Sequence, residues 1–433
     1  MLAYYFNLAL RSFRRNRMLT ALMVLAIALG IGATMTTLTV FTVLAGDPLP
    51  GKSHTLFYPQ IEPRDANSTD PEPPDQLTRY DAEALLQDAR GDRQAMMTGG
   101  NVAIEPEVAG VDPFLADARY TTSDFFPMFD VPFAYGGGWD RAADDRHARV
   151  AVISSDLNEK LFGGSDSVGK SLRLDQATFT VVGVLDEWRP VPKFYDMYSD
   201  TYSEVEQVFL PFTTSRDLEM SHSGSMDCFR PRDDGQQDTD RGASCTWIQY
   251  WVQLDTPAKV ADYERYLANY SEQQRAAGRF EQAPKVRLRD LMQWLDFNGV
   301  VPPDVRLQAW LAFGFLLVCL LNTIGLLLAK FLRRSGEIGV RRALGASRRE
   351  IFVQYLVEAG TVGLAGGALG LGLAALGLWA VRQQAASYAE LAHFNPPMLL
   401  LTFVLALVAS LLAGLLPAWR AMQVTPAIQL KSQ

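Results

Sequence analysis

The chain has 433 residues, a formal net charge of −8 and a mean hydropathy of +0.01, averages that would suit a soluble protein of two or three domains. The averages conceal a segregation: Gly46 to Asp304 carries 25 basic and 44 acidic residues, a net −19, whereas the remainder carries 15 and 4, a net +11. A basic excess confined to the flanks of apolar runs argues against nucleic acid as a partner and is a signature of membrane topology.

Taken in order, residues 1–17 predict an interfacial helix, with Leu2, Tyr5, Phe6, Ala9 and Phe13 near one face. Four apolar runs follow: Met18 to Gly46, Leu307 to Ala329, Pro396 to Trp419, and Ile351 to Val381, whose one charged residue is Glu358. Each exceeds the roughly 20 residues needed to span a bilayer. Transmembrane helices are therefore expected over 18–46, 305–331, 351–381 and 397–419. The first run could be a signal peptide, since Val43-Leu44-Ala45 would suit a signal peptidase. A cleavable apolar core is about 7 to 15 residues, however, and this run is nearly twice that, about 40 Å as a helix. It reads better as an uncleaved span. Its threonines Thr34, Thr36, Thr37, Thr39 and Thr42 are assigned to helix packing rather than to a ligand.

Charge sets the orientation. Arg11, Arg14, Arg15 and Arg17 precede the first span, and Lys330, Arg333, Arg334, Arg341, Arg342, Arg348 and Arg349 follow the second, against Glu337 and Glu350. The connection 382–396 has only Arg382, Glu390 and His393. The positive-inside rule then places both termini, the segment 332–350 and the tail 420–433 in the cytoplasm, and 47–304 outside.

Outside the membrane, alternation and turn residues predict strands at Thr55 to Ile61, Val102 to Val108, Arg149 to Ile153, Ser171 to Leu174, Phe179 to Leu185, Val208 to Phe212, Trp247 to Leu254 and Lys285 to Arg289. Helices are expected at Thr78 to Arg90, Asp156 to Phe162 and Thr256 to Arg275. Trp247 to Leu254 reads as half-buried, with Ile248, Tyr250, Val252 and Leu254 on one face. The fold class is an α-helical membrane protein with four spans and a large α+β external domain of two subdomains. The outer parts, about 47–100 and 245–304, form a β-α-β type unit into which a strand-rich unit, about 101–244, is inserted.

Of three cysteines, Cys319 lies in the second span. Cys228 and Cys245 lie outside, where oxidation is permitted. A disulfide between them would close a loop of about 18 residues, stabilising by about 3 kcal/mol in the chain-entropy model. Gly164 to Ser171, GSDSVGKS, matches the phosphate-loop spacing. That loop needs a buried strand before it and a helix after it, and here a helix precedes and a strand follows. Nucleotide binding is not expected. His54, His147, His222 and His393 are scattered without metal-ligand spacing, and no catalytic constellation is present.

The densest local information lies in Gly336 to Gly360. Ser335 can cap a first short helix, Gly345 suits the left-handed position past its end, and Ser347 with Glu350 forms a capping box that opens the next helix. This is either a solvated basic loop or a small rigid platform at a membrane surface. Within the third span, Gly363, Gly366, Gly367 and Gly370 permit close helix contact. Glu358 has two readings, a functional membrane carboxylate or one reaching back to Arg348 or Arg349.

With GEIGVRRALGAS and YLVEAG at the platform, LPAWRAMQVTPAIQL at Leu416 to Leu430, and TTSDFFPMFDVPFAYGGGWD, LFGGSDSVGKSLRL and FTVVGVL outside, the chain resembles the MacB/FtsX family of ABC transporter permeases over essentially its whole length. The resemblance implies a bacterial inner-membrane mechanotransmission subunit that couples cytoplasmic ATP hydrolysis to movement of the periplasmic domain. It implies no ATPase site in this chain, with ATP and magnesium bound by a separate ABC ATPase, and a second permease copy or sister permease. Export or extraction from the periplasmic side is the first reading, which would add a periplasmic adaptor and an outer-membrane channel. An FtsX-like regulator of a periplasmic enzyme or sensor is the alternative.

On the same resemblance, Glu337, Ile338, Gly339, Arg341, Arg342, Gly345, Ser347 and Arg348 are the ATPase-coupling residues. Ile338, Val340 and Leu344 would hold the short helix to the bundle, and Arg289 to Pro303 would be a stiff outer extension, with Pro302 and Pro303 marking the joint to the second span.

Overall fold

The computed structural model describes residues 2–15, 17–106, 112–199, 201–231, 234–383, 391 and 396–423. The end of the strand expected at Val102 to Val108, the connection with Glu390 and His393, and the closing residues 424–433 lie outside these. The chain divides into two compact units, Met1–Gly46 with Val301–Gln433, and Asp47–Val300.

In chain order, α1 (Leu2–Arg15) and α2 (Arg17–Ala45) open the first unit. The second unit holds β1 (Leu56–Ile61), β2 (Leu77–Thr78), α3 (Arg79–Asp88), β3 (Arg93–Ile104), β4 (Phe114–Thr121), α4 (Phe125–Met128), β5 (Phe133–Gly136), α5 (Arg141–Asp145) and β6 (Val150–Ile153). It continues through α6 (Ser155–Phe162), β7 (Ser171–Leu174), β8 (Ala177–Leu185), β9 (Val208–Pro211), α7 (Phe212–Asp217), β10 (Asp227–Cys228), β11 (Cys245–Gln253), α8 (Pro257–Ala276), β12 (Val286–Asp290) and α9 (Leu291–Phe297). The first unit resumes with α10 (Pro303–Leu332), α11 (Ser335–Ala343), α12 (Arg348–Arg382) and α13 (Pro396–Met422).

Four helices, α2, α10, α12 and α13, are long and apolar enough to cross a membrane. Lipid offers no hydrophobic drive between them, so close fit must hold them together. The α12 glycines supply it on two faces. A Cβ at Gly366 would lie 2.6 Å from Cγ2 of Ile27 on α2, and one at Gly367 would lie 2.8 Å from Cβ of Ala406 on α13. Gly370 continues the first seam against Ile31, and Gly363 the second against Ser410. Threonines of α2 bond to helix backbone as expected: Thr34 donates to Gly30 O at 2.8 Å and to Ala312 O at 3.2 Å, and Thr36 to Gly32 O at 3.0 Å.

The second unit is built on one sheet path, β12-β1-β11-β3-β4-β9-β6-β8-β5, with β2 and β10 paired to β11 and β7 paired to β3 and β8. Its helices start where the sequence offers caps: Thr78 accepts from Asp81 N, Ser154 from Leu157 N and Thr256 from Lys259 N. The false phosphate loop follows α6 and enters β7, so it runs into a strand rather than into the N-terminus of a helix.

Three expectations are corrected here. β11 is buried along its whole length rather than half-buried. On one face Tyr250 and Val252 share a core with Leu85, Tyr263 and Leu267, and on the other Trp251 meets Tyr58, Phe129 and Phe194 with ring centroids 5.1, 5.9 and 5.6 Å apart. β3 begins at Arg93 rather than Val102, because Gly99 and Gly100 are sites of close approach within the strand rather than turn residues. Arg289 to Pro303 meets the second span at the expected proline joint, with Pro302 before α10 and Pro303 at its first-turn position, but it is not one stiff rod, because α9 is a separate helix closed at Asn298.

Cys228 and Cys245 face each other across β10 and β11 and are joined by a disulfide. Both should resist alkylation in the folded, non-reduced chain and react after reduction. Labelling of both without reductant would contradict the bond.

Candidate functional site

At the end of the bundle where α10 stops and α12 starts, the sequence places charge inside apolar helices. Lys330 of α10 and Glu358 of α12 are 1% and 2% exposed, and their Nζ and Oε1 atoms lie 2.7 Å apart. Ser12 of α1 donates to the same Oε1, Arg334 lies 3.8 Å from it, and Lys330 Nζ reaches Thr20 Oγ1 of α2 at 3.4 Å. One buried ion pair thus connects α1, α2, α10 and α12. Burial of two charges is tolerated because each is paired and further hydrogen-bonded. Glu358 does not reach Arg348 or Arg349. Arg348 is ten residues away on the same helix, about 15 Å along the axis, whereas Lys330 comes from the neighbouring helix.

The platform stands directly on this pair. In α11, Ile338 is 2% exposed and joins the bundle core with Phe331, Ile351 and Tyr355, and Gly339 is buried beside it. Val340 and Leu344 were expected to share that role but are 55% and 83% exposed. A helix of nine residues has one bundle-facing stripe, and Ile338 and Gly339 occupy it. Ser335 also departs from expectation: it is the first helical residue, and no side chain caps α11.

The break is fixed by two local motifs. Gly345 has φ +102°, its N–H donates to Arg342 O at 3.2 Å, and Ala346 N–H donates to Arg341 O at 3.0 Å. Together these form a Schellman ending for α11. Ser347 then opens α12 with a complete capping box: Glu350 N–H donates to its Oγ at 3.2 Å, and its own N–H donates to Glu350 Oε2 at 2.9 Å. Side chains brace the platform laterally. Glu337 pairs with Arg15 of α1, Arg341 Nη1 donates to Gln354 Oε1 of α12 at 2.8 Å, and Arg342 Nη1 lies 3.4 Å from Met422 O of α13. Arg341 and Arg348 remain exposed, and Arg342 is half-buried.

All the coupling residues named from sequence therefore fall on one short helix, its Schellman turn and the first residues of α12. Lys330, Arg334 and Ser12 were not singled out as site residues. The signal that could have found Lys330 was its position inside α10, two residues before the helix ends.

A family model for the MacB-like periplasmic core domain matches residues 20–270, and one for the FtsX-like permease C-terminal domain matches residues 309–426. The macrolide export ATP-binding/permease protein MacB of Escherichia coli K12 is 25% identical over 438 residues, covering 97% of this chain and 59% of that protein. The protein of that name from Shigella flexneri is 24% identical over the same shares. The chain thus spans about three fifths of the length of these curated relatives. Among solved structures, the periplasmic region of MacB from Actinobacillus actinomycetemcomitans aligns with a TM-score of 0.35 and 14% identity, over 56% of this chain and 92% of that one. The extracellular domain of the transporter YknZ from Gram-positive bacteria aligns with a TM-score of 0.34 and 14% identity, over 54% and 99%.

Proposed function

The chain belongs to the MacB/FtsX family of ABC-transporter-type permeases, and on that premise we propose that it is a mechanotransmission subunit whose α11 platform docks an ATP-hydrolysing partner. The observation that carries this reading is the platform itself. It is held to the bundle by Ile338 and to α12 by an unbroken pair of cap motifs, yet it presents Val340, Arg341 and Leu344 to the outside. Exposed apolar side chains set among arginines suit a protein partner better than water alone.

Force applied to such a platform has stiff routes into the membrane. The two caps fix the angle between α11 and α12, and the Lys330–Glu358 pair ties α12 to α10 and α1. A push on α11 would then tilt α12 against both glycine seams instead of bending the turn. The platform end is taken as cytoplasmic, the membrane as the bacterial inner membrane, and the Asp47–Val300 unit as periplasmic. ATP and magnesium are taken to sit on a separate ATPase subunit, with two permease copies or a sister pair serving a pair of ATPases. The relatives' name supports export, and the substrate is taken to be met on the periplasmic side, with an adaptor and outer-membrane channel completing the route.

Isolation of the full chain from its own membrane should bring down a distinct polypeptide with magnesium-dependent ATPase activity. A chain that purifies without such a companion under conditions that preserve its fold would contradict the proposal.

A further inference from the structure

A cleft of about 140 Å³ opens between α1, α11 and α12, next to the buried Lys330–Glu358 pair, and we propose that it seats the phosphate of an anionic phospholipid headgroup. Four guanidinium groups line it, those of Arg11, Arg15, Arg334 and Arg341, against the carboxylates of Glu337 and Glu358. Glu358 is already offset by Lys330 from the bundle side, so the cleft holds an excess of positive charge.

The donors are also underused. Arg15 is engaged with Glu337 and Arg341 with Gln354 through one nitrogen each, and Arg334 shares at 3.8 Å a carboxylate oxygen that Lys330 and Ser12 already occupy. Arg11 is exposed and makes no ion pair among the described residues. Each guanidinium carries five N–H donors in a fork that matches phosphate oxygens. A phosphate here would join α1 to the platform through Arg11 and Arg341, a link that among the described residues is otherwise made by the ion pair of Arg15 and Glu337.

Size and surroundings select the source. The cleft is smaller than the about 300–1,000 Å³ of drug-sized ligand sites, which excludes a bulky exported substrate but leaves room for a phosphate group. The α1 wall turns Ala9 and Ser12 to the bundle and leaves Tyr4 and Phe6 60% and 43% exposed, the disposition of a helix at headgroup depth with aromatic anchors. Leu8 and Ile351 give the cleft apolar walls where acyl esters would begin. The site needs a bilayer surface on either side of the membrane, so it stands or falls separately from partner docking.

The test is retention of lipid by the full chain, measured by native mass spectrometry after exchange from nanodiscs of phosphatidylglycerol or of phosphatidylcholine. Wild type should keep phosphatidylglycerol in preference to phosphatidylcholine. Arg11→Glu should lower that retention about tenfold, Arg11→Gln should lower it less, and Arg11→Lys should keep most of it, all with an unchanged thermal transition. Equal retention by wild type and Arg11→Glu, or no preference between the two lipids, would overturn the proposal. Inorganic phosphate at millimolar concentration that fully displaces the lipid, with the same dependence on Arg11, would assign the cleft to free phosphate and overturn the lipid source.

Discussion

Replacing Glu358 by Gln is expected to destabilise the helical bundle by about 3–5 kcal/mol, the usual cost of leaving one member of a buried ion pair without its partner. The Lys330 ammonium would lose its charged partner and keep a neutral amide oxygen, Thr20 Oγ1 at 3.4 Å and the Phe13 ring at 5.3 Å. Lys330→Met should cost a similar amount, because Glu358 would then rely on Ser12 and on Arg334 at 3.8 Å. The double variant Lys330→Met with Glu358→Leu removes both charges and should lie within about 2 kcal/mol of wild type, since apolar replacement of a whole buried pair is often neutral. Unfolding in mixed micelles, followed by far-ultraviolet circular dichroism, measures all three. Additive losses in the double variant would show that the two side chains are not coupled.

The second large effect lies in the Asp47–Val300 unit. Arg119 of β4 is 1% exposed and holds Asp196 and Glu206, while Lys193 Nζ lies 3.0 Å from Glu206 Oε1 and Tyr195 Oη donates to Glu206 Oε2 at 2.9 Å. Burial alone would raise the pKa of Glu206, but Arg119 and Lys193 outweigh it and hold it at about 2. Burial likewise opposes ionisation of Asp196, which Arg119 nevertheless keeps below the usual carboxylate range. Arg119→Met should cost about 3–5 kcal/mol at neutral pH, because two buried carboxylates would share one ammonium.

The pH dependence separates this from a packing defect. A carboxylate with a depressed pKa in the folded state contributes stability above its ordinary pKa and loses it as pH falls towards the folded value. Wild type should therefore lose this contribution between about pH 4.5 and pH 2, the range set by the ordinary and shifted values of Glu206. In Arg119→Met, burial without the guanidinium raises both pKa values, so mild acid should recover part of the lost stability. A variant that loses stability on acidification as steeply as wild type would contradict the network.

Local chemistry in this chain was legible and distant pairing was not. The Ser347–Glu350 capping box, the left-handed Gly345 and the caps at Thr78 and Thr256 depend on residues within one turn, and their structure follows the sequence directly. The four spans were equally plain, because their length and lack of charge are properties of single segments. β4 was missed because Asp117 and Arg119 interrupt its apolar pattern. Their partners, Asn101 across the strand pair and Glu206 far along the chain, are visible only after folding.

For the same reason the sequence offered Glu358 two readings, a functional membrane carboxylate or a partner of Arg348 or Arg349, and neither named Lys330 on another helix. At the platform, sequence located the helix and the break but not which side of α11 faces the bundle. Val340 and Leu344 are exposed because the short stripe is filled by Ile338 and Gly339, and the exposed pair adds an apolar element to the face proposed for docking.

Docking is tested most directly by charge reversal at the exposed arginines of the platform, Arg341→Glu with Arg348→Glu, in the full chain isolated from its own membrane. The expected result is an unchanged thermal transition together with loss of the ATP-hydrolysing companion and of the ATPase activity that purifies with the chain. Unaltered copurification and activity in the doubly reversed chain would contradict the assignment of α11 as the docking platform.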